Sequence, residues 1–148
     1  MTPLQDQILG LLATHNCMAL ATLRADGFPQ TTTVGYVTEG LAIYFGCSAN
    51  SQKARNIDRD NHVSLAINRD YDDWNKIQGL SVGGVAERLT DVQDIARIAE
   101  LFTSKFPQVA GFKPEDLLGT VFFRVTPKAI SVIDYTKGFG HSDLIVID

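Results

Sequence analysis

The sequence predicts a mainly β fold, an antiparallel barrel of six to seven strands with helices at its periphery. Two observations carry this prediction. About seven short apolar or β-branched runs are separated by turn signals. The apolar spacing of a longer amphipathic helix occurs only near the N-terminus and after the fifth strand. Neither an internal repeat nor a linker interrupts the pattern, so one domain is expected over residues 1–148.

The start of the chain predicts a helix followed by two strands. Residues 2–5 (TPLQ) form a capping-box pattern with Pro at the first helical position, and an apolar face continues to about His15. Residues 17–23 then read as a buried strand. A turn at 24–27 separates it from a second strand at 30–37, because Thr and Val favour extended backbone.

Two more strands and a short basic helix are predicted next. Residues 38–40 turn the chain back into a third strand at 41–46, so the first three strands are expected to form a meander. A helix at 51–57 and a strand at 63–68 follow. After a charged loop, residues 80–89 are the fifth strand, in which Gly83-Gly84 indicates a bulge or a close approach of another backbone.

The last third of the chain predicts a second amphipathic helix and a final hairpin. Residues 90–93 (TDVQ) are another capping box, which opens a helix ending near Phe106. A loop is expected at 107–118. Strands at 121–125 and 129–134 are predicted to form a hairpin around Pro127, followed by a tail that is Gly-rich and then apolar.

The composition excludes several classes of function. A formal net charge of −4 and a pI near 5.2 argue against general binding of nucleic acid or of an anionic membrane. No apolar run approaches the roughly 20 residues needed to span a bilayer, and the N-terminus lacks a signal-peptide pattern. Two cysteines are too few for a disulfide framework, so a reducing cytoplasm is the expected setting.

The best candidate site is an anion cradle at residues 51–55 (SQKAR), framed by apolar runs at 41–45 and 63–67. The amides at a helix N-terminus favour an anion, and a neighbouring Lys neutralises it. The preceding small residues 46–50 allow a ligand close to the backbone. From spacing alone, a solvated helix face remains the alternative. The hydroxyls of residues 31–33 similarly suit either a flat polar ring or an exposed sheet face.

Other candidates are weaker. Trp74 is more typical of packing than of ring stacking, and Gln78 suits a surface position. Cys47 lacks a His–Asp partner pattern, and the three histidines lack metal-ligand spacing, so no metal is expected. No phosphate-loop or dinucleotide fingerprint is present. No acid–base pair stands out either, so catalytic residues stay unassigned and a cofactor would carry the chemistry.

Three segments resemble the pyridoxamine 5′-phosphate oxidase-like family of FMN-binding split barrels: LATLRADGFPQTTTVGY, LAIYFGCSANSQKARNIDRDNHVSLAI and IQGLSVGGVAERLTD. The resemblance covers roughly residues 8–89. It implies a homodimeric split β-barrel with FMN at the subunit interface. By position, it implies phosphate contacts from Ser51, Gln52 and Lys53. It also implies ring or ribityl contacts from Thr32, Thr33, Val34, Gly46 and Cys47, with Trp74 and Gln78 approaching across the dimer.

Two departures from the family pattern bear on the reaction. The family's vitamin B6 oxidases carry an Arg where this chain has Thr32, and a C-terminal R-x-H motif that this chain lacks. The resemblance therefore implies an FMN-dependent oxidoreductase that links NAD(P)H to an unknown small-molecule substrate, without pyridoxamine-phosphate oxidation. The alternatives are a non-enzymatic flavin store or sensor, and a barrel that binds a deazaflavin or haem, with His15, His62 or His141 as the haem ligand. A barrel that serves only for dimerisation is a further alternative.

Overall fold

The computed structural model describes residues 2–148, apart from the side chain of residue 114. Within that range it contains three α-helices and one curled antiparallel sheet of eight strands. The helices are α1 (Pro3–Thr14), α2 (Gln52–Arg59) and α3 (Val92–Lys105). The strands are β1 (Cys17–Leu23), β2 (Pro29–Gly35), β3 (Val37–Glu39), β4 (Ala42–Ser48), β5 (His62–Ile67), β6 (Gln78–Arg88), β7 (Thr120–Asp134) and β8 (Ser142–Val146). Short 3-10 turns occupy Trp74–Lys76, Pro107–Gly111, Pro114–Leu117 and Tyr135–Lys137.

The strand order is β2-β1-β5-β6-β7-β4-β3, and β8 pairs with the distal half of β7. The two ends of this path, β2 and β3, follow one another in the chain, and β2 lies beside β4 without pairing to it. The sheet therefore curls until its two edges approach. The predicted mainly β, barrel-like class is confirmed. None of the described helices has the length and apolar content needed to cross a membrane.

The predicted three-stranded meander is wrong in its second pairing, because the chain breaks at Tyr36. Tyr36 is fully buried, its hydroxyl donates to Leu12 O at 2.7 Å, and its N–H donates to Asn16 O at 3.2 Å. These bonds to the end of α1 draw the chain away from the β1 ladder. Residues 37–39 then pair with β4, so β2 contributes only to the β1 side of the sheet.

The predicted hairpin around Pro127 is also wrong, since β7 continues through this residue. Pro127 lies opposite Gly84 at a register shift that leaves Lys128 as the extra residue. On its other edge, β7 pairs with β4 as far as Val125 and with β8 from Ala129 onward. Pro127 falls between those two partners, where its missing N–H costs no ladder bond. The bulge predicted at Gly83-Gly84 is confirmed.

The core fills the inside of the curled sheet. Ile8 and Leu12 of α1 close one side of it, and the stacked rings of Phe45 and Phe123 lie inside with centroids 5.3 Å apart. A smaller cluster around Ile98 packs α3 on β3 and β4. The N-terminal capping box at Thr2 is confirmed. The cap of α3 lies one residue later than predicted, at Asp91, because its carboxylate accepts both Gln93 N–H and Asp94 N–H.

Candidate functional site

The turn between β4 and α2 is held rigidly by local hydrogen bonds. Ala49 N–H donates to Gly119 O at 2.7 Å, and Ser51 N–H donates to Ser48 O at 3.0 Å. The Ser51 hydroxyl caps α2 by accepting Ala54 N–H at 3.2 Å. In an α-helix, the N–H groups of the first turn have no intrahelical acceptor. Here this applies to the two residues that precede Ala54. The amides of Gln52 and Lys53 are thus available to an anion at a fixed position.

The two cations of this turn have different roles. The Arg55 guanidinium donates to Asn50 O at 2.6 Å and to Gln52 Oε1 at 3.0 Å, so it clamps the loop onto the helix. The half-buried Lys53 has no side-chain hydrogen bond or ion pair among residues 2–148. Lys53 is therefore the cation that remains available to neutralise a ligand, whereas Arg55 is already engaged.

A buried amide fixes the cradle relative to the first two strands. Asn56 has no exposed surface, and its Nδ2 donates to Thr22 Oγ1 at 3.0 Å and to Gln30 Oε1 at 3.2 Å. Its Oδ1 accepts a hydrogen bond of 2.7 Å from Gln52 Nε2. Sequence reasoning missed this network. The available signal was an Asn beside Ala54 and Ile57 on the apolar face of a short helix.

The Thr-rich strand β2 presents its hydroxyls to opposite sides. Exposure alternates along it, so Thr31 and Thr33 are exposed while Thr32 and Val34 are half-buried on the face shared with the core. Thr32 lies opposite the buried Leu20 in the β1–β2 ladder. The hydroxyls of Thr32 and Thr33 therefore lie on opposite faces of the sheet and do not contact a ligand on one face together.

On β4, Gly46 and Cys47 border a cavity of about 600 Å³. A Cβ at Gly46 would lie 2.9 Å from Phe122 Cε1, so the ring of Phe122 fills the space that the glycine leaves. The Phe122 ring begins a stacked row of three. Its centroid is 5.6 Å from that of Phe102, which is 6.0 Å from that of Phe106. Ser48, the last residue of β4, also lines the cavity, so the cavity and the cradle share one strand end.

Trp74 and Gln78 belong to a separate group at the far end of β7. Ser48 pairs with Thr120 and Gln78 pairs with Asp134, which are the two end residues of this strand. At about 3.3 Å per residue, these ends are roughly 45 Å apart along the strand. Within one chain, the structure brings together the predicted residues on β2, β4 and α2, and it does not bring Trp74 or Gln78 to them.

The second group has its own polar centre and aromatic surface. Asp134 is buried and accepts hydrogen bonds from Gln7 Nε2 at 2.8 Å and from Thr136 N–H at 3.0 Å. Burial raises the pKa of Asp134, but the hydrogen bonds from Thr136, Gln7 and Gln78 outweigh burial and hold that pKa below its usual value. Trp74 is 67% exposed and stacks on Phe139, which is 69% exposed, with ring centroids 6.5 Å apart.

Comparison with known proteins supplies the family context. Residues 4–134 match the family model for pyridoxamine 5′-phosphate oxidase. A putative pyridoxamine 5′-phosphate oxidase from Listeria innocua is 25% identical, with a TM-score of 0.73 over 88% of this chain and 98% of that one. No curated protein matches the chain.

Haem proteins are also among the similar solved structures. A haem-binding protein from Mycobacterium smegmatis has a TM-score of 0.82 at 20% identity over 99% of this chain, which spans 59% of that protein's chain. HutZ, a haem storage protein from Vibrio cholerae, has a TM-score of 0.71 at 18% identity over 98% of this chain and 95% of its own. At these identities, the likeness shows a shared fold.

Proposed function

The chain belongs to the pyridoxamine 5′-phosphate oxidase family, and from this premise we propose that it is an FMN-binding oxidoreductase. The observation that carries the proposal is the start of α2, where two amides and the Lys53 ammonium are available to an anion at a rigid turn. These are the groups that a phosphate monoester requires. Hydrogen bonds connect Gln52 to Asn56, and Asn56 to Thr22 on β1 and Gln30 on β2. They fix the position of the anion site relative to the barrel.

In this proposal, the protein binds and orients the cofactor. Lys53 and the amides of residues 52 and 53 hold the phosphate, and Ser51 keeps the helix start in place. Main-chain groups of Thr32, Thr33 and Val34, with Gly46 and Cys47, border the flavin. Bound FMN supplies hydride or electron transfer. NAD(P)H is the proposed donor and a small molecule the acceptor. A flavin store or sensor is distinguished by flavin binding without NAD(P)H turnover, and a deazaflavin protein by its preference for that cofactor.

The substrate proposed here is not pyridoxamine phosphate. Thr32 replaces an arginine of the vitamin B6 oxidases, and residues 135–141 (YTKGFGH) contain no R-x-H motif. The pattern of the vitamin B6 oxidases is thus missing at both positions, including the motif that holds the substrate in those enzymes. We place the protein in a reducing cytoplasm, because Cys17 and Cys47 are both free thiols.

We also propose that FMN lies at a homodimer interface. Lys53 follows the end of β4 that pairs with Thr120, whereas Gln78 pairs with Asp134 at the opposite end of β7, so a ligand that uses both needs Gln78 from a second copy. The exposed Trp74 would lie beside Gln78 in that interface.

Subunit complementation tests this arrangement. Lys53→Ala and Gln78→Ala proteins are each expected to lose FMN affinity. When the two are unfolded together and refolded as a mixture, half of the dimers are mixed and contain one intact site. About a quarter of the native FMN capacity is then expected to return. Absence of any recovery, with both variants folded, would contradict a site shared between subunits.

Haem is the second candidate, and the histidine that favours it is His62. His15 is buried, its Nδ1–H donates to Leu11 O at 2.8 Å, and its Nε2 accepts Arg69 Nε–H at 3.3 Å, so both ring nitrogens are occupied. His62 Nδ1 bonds Asp60 Oδ1 at 2.7 Å, which orients its exposed Nε2 as in many metal-ligating histidines. Hydrogen bonds from His62 lower the pKa of Asp60.

His62 borders a groove of about 530 Å³ whose lining includes Gly83, Gly84 and Lys128. In this candidate, Gly83, at which an added Cβ would meet nothing within 4 Å, leaves room for a flat macrocycle, and Lys128 supplies a cation for a propionate. Titration with hemin tests it. A Soret band that His62→Ala abolishes and His15→Ala preserves would favour haem over FMN. A Soret band that is unchanged in both variants would remove His62 as the ligand, and absence of a Soret band in the native protein would remove haem.

A further inference from the structure

We infer that the cavity between α3 and the β4–β7 edge is a binding site for a neutral, planar aromatic molecule. This inference deepens the proposed function, because Gly46 and Cys47, which are assigned to the edge of the flavin, also line this cavity, and because it names the class of the small-molecule substrate. Its role as a substrate site rests on the proposed function. Binding at the cavity does not.

The shape of the cavity suits a flat ring. Its volume of about 600 Å³ lies within the range of small-molecule sites. One wall is the stacked row of Phe106, Phe102 and Phe122. These three rings are half-buried. Aromatic pairs prefer offset or edge-to-face contact, so the parts of the row that border the cavity can pack against another flat ring.

Two glycines on neighbouring parts of the sheet hold this wall in place. Phe122 lies against Gly46, and a Cβ at Gly35 would lie 3.4 Å from Phe106 Cζ. The rings therefore rest directly on the backbone of β2 and β4. A wall packed in this way is pre-organised, which lowers the ordering cost of binding.

The charges around the cavity select against anions. Among the described residues that line it, none is Lys, Arg or His, and the single charged side chain is Asp116. The nearby Lys105 is not among the lining residues: its Nζ donates to Tyr36 O at 2.9 Å and lies 3.9 Å from the centre of the Tyr36 ring and 5.5 Å from the centre of the Phe106 ring. A phosphate or carboxylate bound here would be desolvated beside Asp116, with no cation among the described lining residues to compensate it.

Two fluorescent probes that share one ring system test the charge preference. N-phenyl-1-naphthylamine is neutral, and 8-anilinonaphthalene-1-sulfonate carries a sulfonate. We expect the neutral probe to bind at least about ten times more tightly. Equal binding, or tighter binding of the sulfonate, would overturn the inference.

The location is tested on the face of α3. Thr103 is exposed and lines the cavity, whereas its neighbour Ser104 is exposed and does not. Thr103→Trp is expected to fill the cavity and weaken the neutral probe at least about tenfold, with Ser104→Trp as the matched control. Cys17 and Cys47, the two cysteines of the chain, both line the cavity. The neutral probe should therefore slow the reaction of these thiols with 5,5′-dithiobis(2-nitrobenzoate).

Three results would contradict the inference. The first is neutral-probe binding that Thr103→Trp leaves unchanged. The second is displacement of the probe by one equivalent of FMN, which would assign the cavity to the flavin ring. The third is loss of probe binding as protein concentration drives dimerisation, which would mean that a second copy fills the cavity. Failure of the FMN proposal is seen separately, as unaltered flavin binding by Lys53→Ala while the probe still binds.

Discussion

Replacing Gly46 with Ala would place a methyl group against a packed aromatic ring. The new Cβ would lie 2.9 Å from Phe122 Cε1 and 3.1 Å from Phe122 Cδ1, which is closer than carbon atoms pack. Phe122 cannot move freely, because it stacks on Phe102 with ring centroids 5.6 Å apart. The substitution therefore strains the aromatic row that forms the wall of the cavity.

The magnitude follows from two opposing effects. Overpacking a fixed site costs about 1–3 kcal/mol. Removing a glycine from the unfolded chain returns about 0.4–1 kcal/mol. The net expectation is a loss of about 1–2 kcal/mol in the free energy of unfolding, which moves the urea midpoint by on the order of 1 M. Gly35→Ala is the matched control, since its Cβ would make an ordinary 3.4 Å contact with Phe106 Cζ. We expect Gly35→Ala to be neutral or slightly stabilising.

Urea denaturation followed by far-UV circular dichroism measures both variants. A double variant, Gly46→Ala with Phe122→Leu, completes a cycle in which removal of the ring should relieve much of the Gly46→Ala penalty. Equal stability of Gly46→Ala and Gly35→Ala would contradict the predicted clash with Phe122. If Gly46→Ala keeps full stability but loses FMN, then Gly46 serves the approach of the ligand and not the packing of Phe122.

Two further outcomes follow from the polar groups. Asn56→Ala should lower the free energy of unfolding by about 1–3 kcal/mol or more, because three polar partners lose their hydrogen bonds. Asn50→Ala, the control, should be nearly neutral. Chemical denaturation of both variants measures the difference. The pKa of Asp134 is lower in the folded state than in the unfolded chain. The stability that Asp134 contributes is therefore present above the unfolded value near 3.9 and is lost as pH falls through the folded pKa. Thermal unfolding from pH 7 to pH 2 should show a flatter acid limb in Asp134→Asn, and an identical limb would contradict this.

Local signals in the sequence were enough for part of the fold and of the site. Thr2 caps α1 as expected, and a bulge lies opposite Gly83-Gly84 as expected. Each of these features depends on a few adjacent residues, whose backbone preferences are expressed wherever the chain packs.

Features set by distant partners could not be predicted in this way. Tyr36 ends β2 because its hydroxyl meets Leu12 O, 24 residues earlier in the chain. Pro127 stays within a strand because β4 and β8 leave a gap beside it. The two-residue period of a strand was enough to predict that Thr32 and Thr33 lie on opposite faces. The packing of the Phe122 ring against Gly46 could be known only from the register of β4 with β7.

The most direct test of the central claim compares FMN with riboflavin, which lacks the phosphate. Quenching of flavin fluorescence gives both dissociation constants for the native protein and for two variants. We predict that the native protein binds FMN at least about ten times more tightly than riboflavin, and that Lys53→Ala removes most of this difference. Lys128→Ala, a lysine to which the proposed flavin site assigns no contact, should retain it. Equal affinity for the two flavins, or a preference that Lys53→Ala leaves intact, would contradict a phosphate site at the start of α2.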